Sequence, residues 1–389
     1  MKNSPNQTNF RKPIIGKTFK IFFSALQCRL DCDPGYVSHK TPIITCVDGR
    51  YEPQPANTFV CKPAVAVIFS SKGEVEVFGE DKKCNQKIGK FPIFEGTGRS
   101  LDLLDEQLVL LGGKNHNFEY KKIHMPRKGL LGMKYTTEVS PIGKSPIGHT
   151  SHSYGNQLLT IGGEFKSMAK LANSVWNSLD MRWQNRSKFD KPAMGACSVK
   201  LEKDIFLLIG GIGQNEIGRN VEMNIVLRLN ITEETVVELP PMNSNRAFHA
   251  CEVFEKKILI SGGLKNKNAV TDEIYSLDTN KSTSLQQRNS LKRHHHHLLA
   301  LGSTIFAIGG KSGRNAVRQI KWFDWTTETW KAHDQSLKSG DISDLAVSAF
   351  PRTAVDCHLG CNCGTTTNGR IIGGSEARVI VLNQNIFKK

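Results

Sequence analysis

Five glycine pairs recur down the chain, at Gly112-Gly113, Gly162-Gly163, Gly210-Gly211, Gly262-Gly263 and Gly309-Gly310, with intervals of 50, 48, 52 and 47 residues. Each pair closes a short apolar run: Leu108–Leu111, Leu158–Ile161, Ile205–Ile209, Ile258–Ile260 and Ile305–Ile308. Continuous branched runs of three to five residues bounded by turn residues read as buried strands. A glycine after a strand allows positive φ and close approach of another backbone. One such pair carries little information, but five at a period near 50 define a repeat array in which neighbouring units bury one another's faces.

The fourth and fifth units add detail. The fourth reads Arg246-Ala247-Phe248-His249-Ala250, then Lys256–Gly263, then Glu273-Ile274-Tyr275-Ser276-Leu277-Asp278. The fifth carries tryptophans after its third strand, in Trp322-Phe323-Asp324-Trp325 through Trp330. This pattern resembles the kelch repeat, although the first and third units lack a matching tryptophan. The resemblance implies blades of four antiparallel strands around a central channel. A sixth blade is assembled from both ends: Val65–Phe69 and Glu74–Gly79 at the front, Leu345–Phe350 at the back. The expected fold is all-β. It is a six-bladed kelch-like β-propeller over 63–352, with a small cysteine-rich segment at 1–62 and a flexible tail at 353–389.

Both ends carry cysteines. Cys28, Cys32, Cys46 and Cys61 lie in a segment resembling part of a sushi (complement-control) module, through Cys32-Asp33-Pro34-Gly35-Tyr36 and Cys46-Val47-Asp48-Gly49-Arg50-Tyr51. Four cysteines allow three pairings, and spacing does not choose among them. Cys357, Cys361 and Cys363 form a second cluster without the paired spacing of a zinc site. Loop-rich cysteine clusters point to disulfides in an oxidising compartment. Sequons at Asn6, Asn185, Asn230 and Asn280 add to the expectation of a secreted glycoprotein. The stretch Ile21–Leu26 after basic Lys17 and Lys20 reads equally as a leader remnant or a buried strand. The tail residues Cys363-Gly364 and Arg370-Ile371-Ile372-Gly373-Gly374 resemble the activation junction of trypsin-like serine proteases, with cleavage between Arg370 and Ile371. No catalytic histidine, aspartate or serine in that family's context follows, so the chain lacks the groups that chemistry needs. Chance similarity in a Gly/Thr/Asn-rich tail is the competing reading.

Lysine plus arginine number 52 against 36 acids, a net charge of +16. Such a surplus favours acidic partners. No apolar run approaches the roughly 20 residues of a membrane span. No phosphate loop, dinucleotide fingerprint or paired-carboxylate pattern is present, and neither a metal nor a cofactor is expected. The run His294–His297 reads either as a metal site of at most two converging imidazoles or as an inner strand with alternate histidines facing channel and blade. Cys197 and Cys251 sit at similar distances before their glycine pairs in neighbouring units, and they read either as facing each other or, the favoured expectation, as small buried core residues. The loops after the glycine pairs supply a base from every full repeat, and Lys114, Lys166, Arg219, Lys265, Lys311 and Arg314 are the candidate ligand-binding residues. They form either a basic rim or the ordinary solvated loops of a basic protein. The expected function is a non-enzymatic extracellular binding module for a protein or acidic glycan, not a specific nucleic-acid binder. The alternative is the non-catalytic regulatory portion of a serine-protease zymogen.

Overall fold

The computed structural model describes residues 61–79, 86–104 and 204–351, the strands between 107 and 202, and short strands within 19–52 and at 379–380. The chain divides into two compact units, one of 1–33, 38–61 and 364–389, the other of 34–37 and 62–363. In the first, Phe19–Ser24 pairs antiparallel with Gln27–Cys32, followed by Ile43–Val47 and Arg50–Glu52, and Val379–Ile380 lies parallel to Phe19–Lys20. Ile21–Ser24 of the apolar stretch lie in the first of these strands. The cysteine side chains of this unit, Lys166, Asn6 and residues 352–378 with Cys357, Cys361, Cys363, Arg370 and Ile371 lie outside the described residues.

The second unit is an all-β propeller. Sheet I contains Cys61–Ser70, Lys72–Phe78 and Gln86–Glu95, and Leu345–Pro351 pairs antiparallel with Cys61–Ser70, from Leu345↔Ser70 to Pro351↔Ala64. Sheets II to VI begin at Thr97–Leu104, Ile147–Tyr154, Cys197–Lys200, Ala250–Phe254 and His297–Leu301, and each has four antiparallel strands. Sheet I, which Tyr36–Ser38 joins as a fifth strand, and sheets IV, V and VI carry described side chains on the four strands of a blade and make four complete blades; in II and III these fall chiefly on the two inner strands. Against an expectation of six blades, four are thus described in full. No helix among the described residues is long and apolar enough to cross a membrane.

The unbroken apolar runs follow from burial on both faces. Successive side chains of a strand point oppositely, and here each direction meets a different neighbouring sheet. Phe206 and Leu208 pack with Leu159 and Ile161 of sheet III, whereas Leu207 and Ile209 pack with Ile258 and Ile260 of sheet V. Leu259 instead joins Ile305 and Ala307 of sheet VI. Phe306 and Ile308 meet Ala66 and Ile68 of sheet I, whose Val65, Val67 and Phe69 turn to Leu108 and Leu110 of sheet II. Val109 and Leu111 pack with Leu158 of sheet III.

The glycine pairs end these runs because two backbones crowd them. A Cβ on Gly262 (φ 59°) would sit 1.9 Å from the Arg293 carbonyl oxygen of the next sheet, and one on Gly263 (φ 90°) 2.9 Å from Ala247 O of its own. That proximity lets Gly263 N donate to Arg293 O at 2.8 Å.

Cys197 and Cys251 are buried as expected, and of the two readings left open for them the structure shows them facing each other, joined in a disulfide with Cα atoms 5.9 Å apart. The innermost strands of sheets IV and V run side by side, so residues one repeat apart in sequence become neighbours.

Candidate interaction face

The chain after each glycine pair in sheets IV, V and VI forms a small second hairpin: Ile212–Gln214 with Asn220–Glu222, Leu264–Lys265 with Asn268–Ala269, and Lys311–Ser312 with Asn315–Ala316. Bridges Met194↔Ile212, Ala247↔Leu264 and His294↔Lys311 fix each hairpin to the loop leading into its own innermost strand. All three hairpins therefore stand on the same face.

Those bridges also align the repeats. Lys311 is equivalent to Leu264 and Ile212, at the hairpin root, and it is half-buried. Lys265 is one position further out and exposed, while Arg219 and Arg314 are exposed in the turns. Asn215 shapes the first turn: its Oδ1 accepts from Arg219 N at 2.9 Å, and its own N–H donates to Arg219 O at 2.9 Å. The described bases thus share a face but occupy different hairpin levels. Lys114 ends the strand Gln107–Lys114, opposite Thr97, with its side chain outside the described residues. Ile217, 71% exposed, tops the same hairpin as Arg219.

The channel mouth beneath these hairpins has a regular feature that sequence reading missed. In sheets II to VI one residue at or just before the start of the innermost strand is left-handed: Gly98 (φ 66°), Gly148 (66°), Gly195 (65°), Phe248 (57°) and His295 (54°). Their backbones link around the mouth, with Gly195 N donating to Gly148 O at 3.1 Å, Phe248 N to Gly195 O at 2.7 Å and His295 N to Phe248 O at 2.8 Å. Gly98 N donates to the Asp344 carboxylate at 3.1 Å. Three glycines at one repeat position were the available signal. The Phe248 and His295 rings stack at 4.4 Å and 10°.

The histidine run is absorbed into this mouth. His297 begins the strand, so the alternation expected for all four does not apply. His294 Nε2 donates to Gly313 O at 3.0 Å, and its Nδ1 lies 2.7 Å from His295 Nδ1. His296 Nε2 contacts Ser261 Oγ at 3.2 Å, and His297 Nε2 donates to Leu345 O at 2.7 Å. Burial pushes His295 down to about 4.

Two buried arginines hold the face to the sheets. Arg246, fully buried, donates through Nη1 to Gly262 O at 2.8 Å and pairs through Nη2 with buried Glu273. Arg293 spans the equivalent gap, with Nη2 donating to Gln319 O at 2.8 Å. Asp272 accepts from Gly262 N at 2.7 Å, Leu291 N at 3.0 Å and the kelch-like tryptophan Trp330 Nε1 at 2.6 Å. The tryptophan of one blade thereby fastens the loop of the preceding one. Of the sequons, Asn230 ends the third strand of sheet IV, Asn280 lies in the turn between the third and fourth strands of sheet V, and Asn185 ends a strand of sheet III.

Comparison with known proteins follows the same residues. The chain is 24% identical over 113 residues to Kelch repeat and BTB domain-containing protein 2 of Ectromelia virus (strain Moscow), covering 29% of this chain and 20% of that protein. The cowpox virus (strain Brighton Red) protein of the same name is 25% identical over 108 residues, covering 28% and 19%. Alpha-scruin of Limulus polyphemus is 27% identical over 180 residues, covering 44% and 19%. The chain thus spans about a fifth of the length of these relatives. The family model described as the KLHDC2/KLHL20/DRC7 Kelch-repeats domain matches residues 148–343, half of the chain and all of sheets III to VI. With the glycine pairs, the four-stranded blades and this match in agreement, the chain belongs to the kelch-repeat family.

Proposed function

We propose that this protein is an extracellular, non-enzymatic binding module that holds an acidic protein or glycan on the hairpin face of a closed six-bladed propeller. Kelch repeats are protein-interaction modules, and membership of that family supports the general reading. The observation that carries the specific one is the row of hairpins on sheets IV to VI, which puts Arg219, Lys265 and Arg314 in solvent on one face with Lys311 at its root. The ring count is supported by the six apolar clusters, each lying between a different pair of neighbouring sheets, and by the Leu345–Pro351 strand in sheet I. A disulfide inside the propeller supports an oxidising setting, in keeping with the terminal cysteines.

Clustered like charges raise the local concentration of an anionic ligand and speed its arrival. Each exposed contact contributes about 1 kcal/mol at most, so affinity comes from several together. The test is binding to an immobilised sulfated glycan at low salt. Lys265→Ala/Lys311→Ala/Arg314→Ala is expected to weaken binding more than Lys12→Ala/Lys17→Ala/Lys20→Ala, and both proteins should lose affinity as salt rises. Equal losses from the two triple variants would reduce the effect to net charge and remove the face.

A further inference from the structure

The joints between innermost strands can be compared at one repeat position. Thr150 pairs with Ile161, the residue before a glycine pair, and Cys197 holds the same place opposite Ile209. Ser198 lies opposite Leu208, and Cys251 holds the same place opposite Ile260. At the joint of sheets III and IV this pair of positions makes a hydrogen bond, Thr150 Oγ1 to Ser198 Oγ at 2.5 Å. At the joint of sheets IV and V it makes the Cys197–Cys251 disulfide. At the joint of sheets V and VI, Ala250 and Leu298 occupy it within an apolar cluster. The repeat therefore presses these two positions together at successive joints, and only the middle one of the three carries thiol chemistry.

We propose that Cys197 and Cys251 are a redox site that covalently staples two neighbouring blades at the channel wall. Both residues are buried, at 6% and 9% exposure, within a cluster containing Val199, Leu207, Ile209, Val226, Ile258 and Tyr275. The co-reactant is a thiol reductant. Its thiolate attacks one sulfur and displaces the other as a thiolate that takes up a proton; a second reductant thiol then resolves the mixed disulfide. Cys197 and Cys251 end as two thiols, and two reductant thiols end as one disulfide. The staple closes a loop of 54 residues and shares its joint with the Phe248 N to Gly195 O hydrogen bond of the channel mouth. Oxidation thus fixes the blade carrying the Ile212–Glu222 hairpin to the blade carrying the Leu264–Ala269 hairpin. The chemistry needs no ligand on that face.

The test uses the full chain equilibrated in glutathione buffers, with mass spectrometry of unreduced peptides and thermal unfolding as readouts. In oxidising buffer the Cys197 and Cys251 peptides are expected linked to each other. Reduction should lower Tm by about 3–7 °C. The comparison protein is Cys197→Thr/Cys251→Ser, which installs the side chains of the preceding joint and so retains a packed pair. Its Tm should respond less to reductant by that amount, because only the other eight cysteines remain. Two freely alkylated thiols at Cys197 and Cys251 in folded, oxidised protein would overturn the proposal. An equal response of the two proteins to reductant would overturn it as well. Neither readout involves a bound ligand, so failure here leaves the proposed binding face untouched.

Discussion

Burial shifts several ionisable side chains in the channel wall toward their neutral forms. Burial raises Asp102 and Glu252, on innermost strands of sheets II and V, to about 7. Burial lowers His152 to about 4 and His249 to about 3. Glu252 accepts hydrogen bonds from Val253 N at 3.0 Å and, across the joint, from Ala300 N at 3.2 Å, and these only partly offset its loss of water. For a carboxyl raised in the fold, the unfolded chain ionises first as pH rises. Stability is therefore fully present below the ordinary glutamate pKa and falls until pH passes about 7. The histidines act with the opposite sign, since the unfolded chain takes up their protons as pH falls. Glu252→Gln keeps an acceptor but removes the carboxyl. Its stability relative to the wild type is expected to grow by about 1–3 kcal/mol between pH 5 and pH 7.5, read from urea unfolding at each pH. A constant difference across that range would show that Glu252 ionises normally in the fold. None of this was legible in the sequence, where Glu252 is one acid among 36; its environment exists only once two strands from different repeats are side by side.

Strands and their closing turns were far more legible than the loops that join them. An apolar run followed by two glycines contains its own explanation, because a strand buried on both faces cannot alternate with polar residues. The loops before the innermost strands gave weaker signals. Arg246 and Arg293 look like two more bases in a basic protein, yet both are buried and grip carbonyls at the far side of their blades. A charge buried against a partner is costly to leave half made. Arg246→Ala strands the Glu273 carboxylate, which also accepts from Asn243 N at 2.9 Å and Ser282 Oγ at 2.5 Å. The expected loss is about 3–5 kcal/mol in chemical unfolding. A loss below about 1 kcal/mol would mean that the loop is held by its backbone bridges alone. The staple was half legible: the sequence placed Cys197 and Cys251 in adjacent units at similar distances from their glycine pairs. Only the register of neighbouring strands shows that their side chains meet.

At the scale of the whole molecule, the account depends on the two ends of the propeller meeting in sheet I. Beyond the ladder between Leu345–Pro351 and Cys61–Ser70, the front of the chain grips the back through side chains. Glu76 accepts from Lys338 N at 2.8 Å and from Ser339 N at 3.0 Å, Glu74 accepts from Gly340 N, and Ser71 Oγ donates to Asp341 at 2.6 Å. A propeller joined in this way exposes only short, protected strand edges. At the mouth, backbone hydrogen bonds join the loops of sheets III to VI in turn. The most direct test is an experimental structure of the full chain by crystallography or electron cryomicroscopy. The account predicts six blades around one channel, with Leu345–Pro351 lying antiparallel beside Cys61–Ser70 and Leu345 opposite Ser70. A ring of four blades, an open ring, or Leu345–Pro351 in a different blade from Cys61–Ser70 would contradict it.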